Sequence, residues 1–230
     1  MVPNEASTGY HIVAAIGAEG HLEPLLTVGC ALAQARNGRV TILSVTADGH
    51  RPAWLTVPEL CGDVPVSVVV RAGPDPGTEI LDAVQDDPPD LILLAWSGER
   101  GRGRYLIGPI LDPVVQYAPC NVAVLRAEGG KSSLADSAEG IERVLIPTAG
   151  GPNAALATDL ALALSPTTQV TVLYVARAAQ GEVAASLAHQ HLDEILEPWA
   201  GEPRVQGKVV QSSSPVRGIL AEAAGDYDLV

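Results

Sequence analysis

The sequence has no phenylalanine, and its aromatic residues amount to 3% of 230 residues. Its apolar content of 47% therefore comes mainly from alanine, valine and leucine. This composition is typical of a globular chain and leaves little room for extended disorder. We expect a core built from small aliphatic side chains, in one large domain or in two of ordinary size.

Long apolar runs are also missing. Runs such as Leu91–Trp96 and Val66–Val70 are far shorter than the roughly 20 residues of a membrane-spanning helix. The first ten residues, MVPNEASTGY, contain neither the basic stretch nor the apolar stretch of a secretory signal. We therefore expect a cytoplasmic chain that does not itself insert into a membrane.

Basic residues are scarce, with 14 Lys and Arg against 27 Asp and Glu and a net charge of -13. A surface this acidic repels the phosphate backbone of DNA or RNA over most of its area. General nucleic-acid binding is therefore excluded, and any anion site must be local.

Cysteines are few, and they follow no ligand pattern. Cys30, Cys61 and Cys120 are widely spaced and form no CxxC or Cys/His motif, which argues against a disulfide framework and against a zinc site. His189 and His191 lie two residues apart, a spacing that puts them on different sides of a helix. We expect three buried thiols and no metal.

The sequence contains an internal repeat. Residues 11–45 and 143–175 share one order of elements: an apolar run, a glycine-containing break, a stretch of helical periodicity, a polar turn and a second apolar run. The second runs are VTILSV and VTVLYV. This order predicts two copies of one domain, at 10–126 and 141–230, joined by a small and polar linker at 127–140.

Strands and helices alternate within each copy. In the first copy, short apolar strands are predicted at 13–16, 40–45, 66–70, 91–96 and 122–125, separated by helical stretches. This alternation predicts an α/β fold, a doubly wound five-stranded parallel sheet with helices on both faces. When the copies are aligned, residues 228–230 correspond to 90–92, so we expect the second copy to be truncated within its fourth strand.

A glycine-rich turn follows the predicted fourth strand, where open α/β sheets bind ligands beyond the carboxyl ends of their strands. This turn, SGERGRGRYLIGP, includes Arg100, Arg102 and Arg104. Glycines let backbone N–H groups approach an anion, and the helix that follows points its positive end at the same place. The turn therefore predicts a local anion site with the three arginines close to phosphate.

In this context the turn resembles the nucleotide loop of UspA-type universal stress proteins. ATP-binding members carry Gly, two residues, Gly, nine residues, Gly and then Ser or Thr; Ala95, Gly98, Gly108 and Pro109 stand at this spacing here. The resemblance covers nearly all of both copies. It implies a tandem UspA-like fold with ATP or another adenine nucleotide as ligand, and it places Ala15, Ile16, Gly17 and Val45 beside that nucleotide.

Three departures from the family pattern weaken this site. Pro109 has neither the N–H nor the hydroxyl that helps to hold the phosphates. Ala95 adds a methyl group where the backbone should approach the nucleotide. The Asp that contacts adenine is replaced by Gly17, and by Ala149 in the second copy. We expect weak ATP binding or none.

The resemblance implies a regulatory or sensor module that is not an enzyme. The openings GAEGHLEPLL and PTAGGPNAAL are similar to stress-protein domains at the cytosolic end of amino-acid permeases and cation antiporters. A transporter domain outside this chain and a homodimer, or a pairing of the two copies, are the partners implied.

Two alternatives stay open. One is an ATP-hydrolysing or adenylate-forming enzyme of the same architecture, although no SGGxDS, HxGH or GxxxxGK[ST] motif is present. The other is a structural dimerisation module without ligand, in which the strand at 122–125 pairs across a two-fold axis.

Overall fold

The computed structural model describes residues 9–98, 105–126, 141–177 and 181–230. These residues form two compact units, with 9–126 in the first and 141–230 in the second. The predicted linker at 127–140 lies outside the described residues.

The first unit is built on a parallel sheet of five strands. The strands run in the order β3-β2-β1-β4-β5, which confirms the predicted doubly wound α/β fold. The elements are β1 (His11–Ala15), α1 (Leu22–Ala35), β2 (Arg39–Thr46), β3 (Val66–Ala72), α2 (Pro76–Asp86), β4 (Leu91–Ala95), α3 (Leu111–Tyr117) and β5 (Asn121–Leu125).

Local sequence signals fix where α2 begins and ends. The Asp75 side chain accepts a hydrogen bond from the Gly77 N–H at 3.0 Å, and Pro76 stands at the first helical position, where it needs no N–H partner. The helix ends at Asp86, just before two prolines that cannot continue it. Sequence and structure agree at both ends.

The core beneath α2 and α3 is aliphatic, as the composition predicts. Its side chains come from β1, β2, β4 and the two helices, and branched residues pack on both faces of a central parallel strand. The buried members of this cluster are Val13, Leu43, Ile80, Val84, Ile92, Leu94 and Val114.

The second unit contains a parallel sheet in the order β6-β7-β8. Its elements are β6 (Arg143–Thr148), α4 (Pro152–Leu164), β7 (Gln169–Arg177), α5 (Gly181–Leu196), β8 (Val205–Ser212) and α6 (Pro215–Ala223). Within the described ranges, no helix is both long and apolar enough to cross a bilayer.

The register of the two units is equivalent where the repeat aligns them. Leu229 forms a parallel bridge with Val144, as Leu91 does with Ile12. The Asp228 carboxylate accepts a hydrogen bond from the Arg143 N–H at 2.8 Å, and the Asp90 carboxylate accepts one from the His11 N–H at 2.7 Å. Residues 228–229 therefore lie beside β6 as residues 90–91 lie beside β1.

The prediction of unpaired cysteines is wrong for two of the three. Cys30 in α1 and Cys61 in the 3₁₀ helix Glu59–Cys61 form a disulfide, with 5.2 Å between their Cα atoms. The fold lays the segment before β3 against α1, and a spacing of 31 residues gives no sign of that neighbourhood. Cys120 is a free, half-buried thiol; burial and then the Asp90 carboxylate raise its pKa.

Candidate functional site

The predicted site residues of strands β1, β2 and β4 meet at one edge of the first sheet. β1 lies between β2 and β4, and Ala15 pairs with Leu43 on one side and Leu94 on the other. Because all three strands run in the same direction, their carboxyl ends bring Ala15, Val45 and Ala95 to the same edge. The strand order reverses between β1 and β4, where ligands of open α/β sheets bind.

The residues after β1 differ in what they face. The Ile16 N–H donates to the Leu43 carbonyl at 2.8 Å and its side chain is buried, so Ile16 belongs to the core. Gly17 is exposed, and no atom lies within 4 Å of the position its Cβ would occupy. Gly17 therefore leaves open space at the edge and offers no side-chain acceptor for a base.

Gly98 has a structural reason to be glycine. Its φ of 83° is in the left-handed region, and an added Cβ would lie 2.9 Å from Nε of Arg126. The Arg126 guanidinium also stands 5.7 Å from the ring centre of Trp96, within range of a cation–π interaction. Arg126 follows β5, and since β5 pairs with β4, a basic residue there is brought to the candidate loop.

The second half of the loop is held by a carboxylate. The backbone N–H groups of Leu106 and Ile107 donate to the two oxygens of Asp112 at 2.6 and 3.1 Å. The Asp112 N–H in turn donates to the Gly108 carbonyl at 3.1 Å. Asp112 lies in the first turn of α3, where a negative charge is favoured. Sequence reasoning missed it, although an acidic residue four positions after the last loop glycine was the available signal.

The described residues of this loop present a carboxylate and few donors to an anion. Asp112 takes two backbone donors of the loop and puts a negative charge there. Pro109 is exposed and supplies no donor. Gly108, at φ 138°, provides the turn alone. The predicted arginines Arg100, Arg102 and Arg104 lie outside the described residues and stay a prediction.

A cavity of about 500 Å³ lies beside this loop, on the side of α3. Its lining includes Tyr105, Asp112 and Tyr117. None of the predicted residues at the ends of β1, β2 and β4 lines it.

A second cavity, of about 770 Å³, lies in the second unit at the carboxyl ends of β6 and β7. His191 and Glu194 of α5 form one wall, and Tyr174 contributes its ring, edge-on to His191 with 5.6 Å between ring centres. A Cβ on Gly150, whose φ is 97°, would lie 2.6 Å from Nε2 of His191. The spacing of His189 and His191 predicted no site here, although Gly150–Gly151 after β6 signalled a close approach.

The described parts of the chain contain no group of three or more His, Cys, Asp or Glu side chains placed to hold a metal ion. Nδ1 of His191 lies 3.7 Å from a carboxylate oxygen of Glu194, and two such groups are fewer than the three or four side chains that a protein zinc site uses.

Comparison with known proteins places part of the sequence in a family. Residues 58–126 match the model of the universal stress protein family. Nothing among the curated proteins matches the chain.

Solved structures share the fold over most of the chain. A universal stress protein from Archaeoglobus fulgidus DSM 4304 aligns with 94% of this chain and 81% of its own, at 17% identity and a TM-score of 0.59. A putative universal stress protein from Pseudomonas aeruginosa UCBPP-PA14 aligns with 96% and 80%, at 14% identity and a TM-score of 0.62. A universal stress protein in complex with cAMP aligns with 51% and 97%, at 16% identity and a TM-score of 0.44. At these identities the likeness shows the fold and transfers no ligand.

Proposed function

The chain contains a universal stress protein domain, and from this premise we propose that it is a regulatory or sensor module and not an enzyme. Its candidate adenine-nucleotide edge in the first unit is degenerate, so that ATP binds weakly or not at all. The observation that carries the proposal is the Asp112 carboxylate, bound to two N–H groups of the loop.

A phosphate group at this loop would meet the negative charge of Asp112. A phosphate group would have to displace the Asp112 carboxylate from Leu106 and Ile107, or bind beside it against Coulomb repulsion. α3 has only seven residues, so its N-terminus adds little attraction. Gly17 supplies no acceptor for the adenine base, and Pro109 supplies no donor for a phosphate group.

Calorimetry of the whole chain with ATP, ADP, AMP and cyclic dinucleotides at defined magnesium tests the proposal. We expect weak ATP binding or none for the wild type. Asp112→Ala frees two donors and removes a charge, so nucleotide affinity should rise by about tenfold or more. Asp82→Ala, which removes an exposed carboxylate of α2, is the charge-matched control and should change little.

Two results would contradict the proposal. Sub-micromolar ATP affinity in the wild type would show that the departures at Gly17, Ala95 and Pro109 do not matter. ATP turnover well above background, lost on changing Gly98, would favour an enzyme of the same architecture instead.

The proposed function includes a partner, a membrane transporter. The similarity of the two domain openings to transporter-associated stress domains supports a role as the cytoplasmic regulatory tail of a membrane transporter. A stand-alone reading frame without upstream membrane helices would contradict it.

β5 lies at an edge of its sheet with Val124 exposed, which supports pairing in a homodimer. Sedimentation of the purified chain measures this state.

A further inference from the structure

The segment between β2 and β3, residues 47–65, is here named the strap. It contains little regular structure apart from the 3₁₀ helix Glu59–Cys61. Two of its side chains are buried: Leu55 is 0% exposed and Cys61 is 4% exposed. Val57 and Leu60, by contrast, are partly exposed to solvent. The strap is therefore an exposed segment with two points of attachment.

Most hydrogen bonds of the strap join its residues to one another. The Arg51 guanidinium donates to the Leu55 carbonyl at 2.7 Å, and the Leu55 N–H donates to the Pro52 carbonyl at 3.0 Å. The N–H groups of Cys61 and Gly62 bond within the 3₁₀ turn. Such bonds give the strap a local shape, and its bonds to β2 lie towards its two ends, from the Thr46 hydroxyl to the His50 carbonyl and from the Val40 N–H to the Pro65 carbonyl.

The covalent attachment is the disulfide from Cys61 to Cys30 in the middle of α1. Cys30 is 3% exposed and is one of the buried residues of α1. The disulfide thus fixes the far end of the strap to a rigid element of the core. Its near end leaves β2 directly after Val45 and Thr46, at the edge that carries the candidate site.

The redox state of the cytoplasm bears on what the Cys30–Cys61 disulfide can do. Disulfides are rare in the reducing cytoplasm, and those found there are usually transient and redox-sensing. A regulatory module of the proposed kind works in the cytoplasm, and the disulfide lies under an exposed segment whose local opening would uncover it. A bond so placed can be reached by a reductant without unfolding the sheet.

We propose that Cys30 and Cys61 form a reversible thiol–disulfide site that controls the closure of the strap over α1. The disulfide state holds the strap down, and the dithiol state lets it open and expose Leu55. This inference rests on the proposed regulatory function. The signal that it assigns to the module is the oxidation of the Cys30 and Cys61 thiols.

The exchange step needs a dithiol as reductant. Its thiolate attacks one sulfur of the Cys30–Cys61 bond, which breaks and leaves the other cysteine as a thiolate that takes up a proton. The second thiol of the reductant then displaces the first cysteine from the mixed disulfide. Two electrons pass from the reductant, which becomes a disulfide, to the cysteine pair, and a disulfide oxidant reverses the step.

The test compares the oxidised and reduced wild-type chain without any nucleotide. Equilibration with mixtures of reduced and oxidised dithiothreitol, followed by thiol labelling, counts free cysteines. Hydrogen exchange then follows the amides of Leu55, Cys61, Gly62 and Val64. Reduction should expose two further thiols reversibly and speed exchange at these amides by about tenfold or more, since the cross-link no longer limits opening.

Three variants serve as controls. Cys120→Ser removes the free thiol and should leave the redox response intact. Cys30→Ala and Cys61→Ala should each place the strap permanently in its fast-exchanging form, insensitive to dithiothreitol. The comparison within the wild type needs no substitution, so the test stands even if a variant folds poorly.

Two outcomes would overturn the inference. Equal exchange of the strap in both forms would show that the disulfide does not control closure. Reduction that speeds exchange throughout β1, β2 and β4 would identify a purely structural cross-link. Because no nucleotide enters this experiment, its failure is distinct from a failure of the nucleotide proposal.

Discussion

His11 is a buried titratable residue at the start of β1, with its ring between two partners. Nη2 of Arg39 lies 3.1 Å from its Nδ1, so Nδ1 is the acceptor and Nε2 donates to Oγ1 of Thr41 at 2.9 Å. Burial and then the Arg39 charge lower the pKa of His11 below 6.5, although Asp87 and Asp90 oppose this shift. The neutral ring is therefore the folded form.

This lowered pKa predicts a loss of stability in acid. Because the unfolded chain takes up a proton near its pKa of 6.5 while the folded chain resists it, stability is fully present above that value. It falls as the pH drops through 6.5 towards the lower pKa of the folded state. Thermal unfolding between about pH 7.5 and about pH 5 measures the slope.

His11→Gln removes the titrating group and keeps a side-chain donor for Thr41. Its unfolding midpoint should depend less on pH over the same range. The matched substitution of an exposed histidine is His50→Gln, and the change in His11→Gln is measured against it. An unchanged slope in His11→Gln would contradict the assignment.

Single residues were the hardest features to predict from the sequence. The spacing of glycines located the candidate loop, and Gly98 does adopt a conformation that favours glycine. Nothing local in the sequence, however, indicates that Asp112 turns back onto the loop amides or that Arg126 lies against Gly98. Both contacts depend on the fold that brings the end of β5 and the start of α3 to the end of β4.

At the scale of elements, the caps of α2 and α6 are equivalent and testable. Asp75 accepts from Gly77 N–H at the start of α2, and Ser214 accepts from Arg217 N–H at 3.2 Å at the start of α6. Asp75→Ala and Ser214→Ala should each lower the free energy of unfolding by about 1 kcal/mol. Urea denaturation measures this, and a change within error at both sites would show that the caps are dispensable.

Elements were also the features that the sequence predicted best. The predicted strands at 40–45 and 122–125 lie within β2 and β5. Apolar runs and proline positions act locally, so they can be interpreted without the fold. The pairing of Cys30 with Cys61 is not local, because it depends on where the strap lies against α1.

In each unit of the whole molecule, one carboxylate accepts a hydrogen bond from the first residue of the first strand: Asp90 from the His11 N–H and Asp228 from the Arg143 N–H. We expect Asp90→Ala to reduce amide protection in β1 and β4, and Asp228→Ala to reduce it in β6. Each should cost about 1.5 to 3 kcal/mol, the range for hydrogen bonds to charged groups. Hydrogen exchange resolved by residue measures both.

Asp82→Ala and Asp193→Ala remove exposed carboxylates, one from each unit, and should leave protection unchanged. If Asp228→Ala left β6 as protected as in the wild type, Asp228 would occupy the position equivalent to Asp90 without stabilising its strand.

The three tryptophans stand at three different places of functional interest. Trp54 lies in the strap, Trp96 lies under the Arg126 guanidinium at the candidate loop, and Trp199 donates to Asp159 in the second unit. A cation above an indole ring changes the electric field in which the ring emits light. Variants that keep one tryptophan each would therefore turn the chain's own fluorescence into a separate optical reporter for the strap, the loop and the second unit.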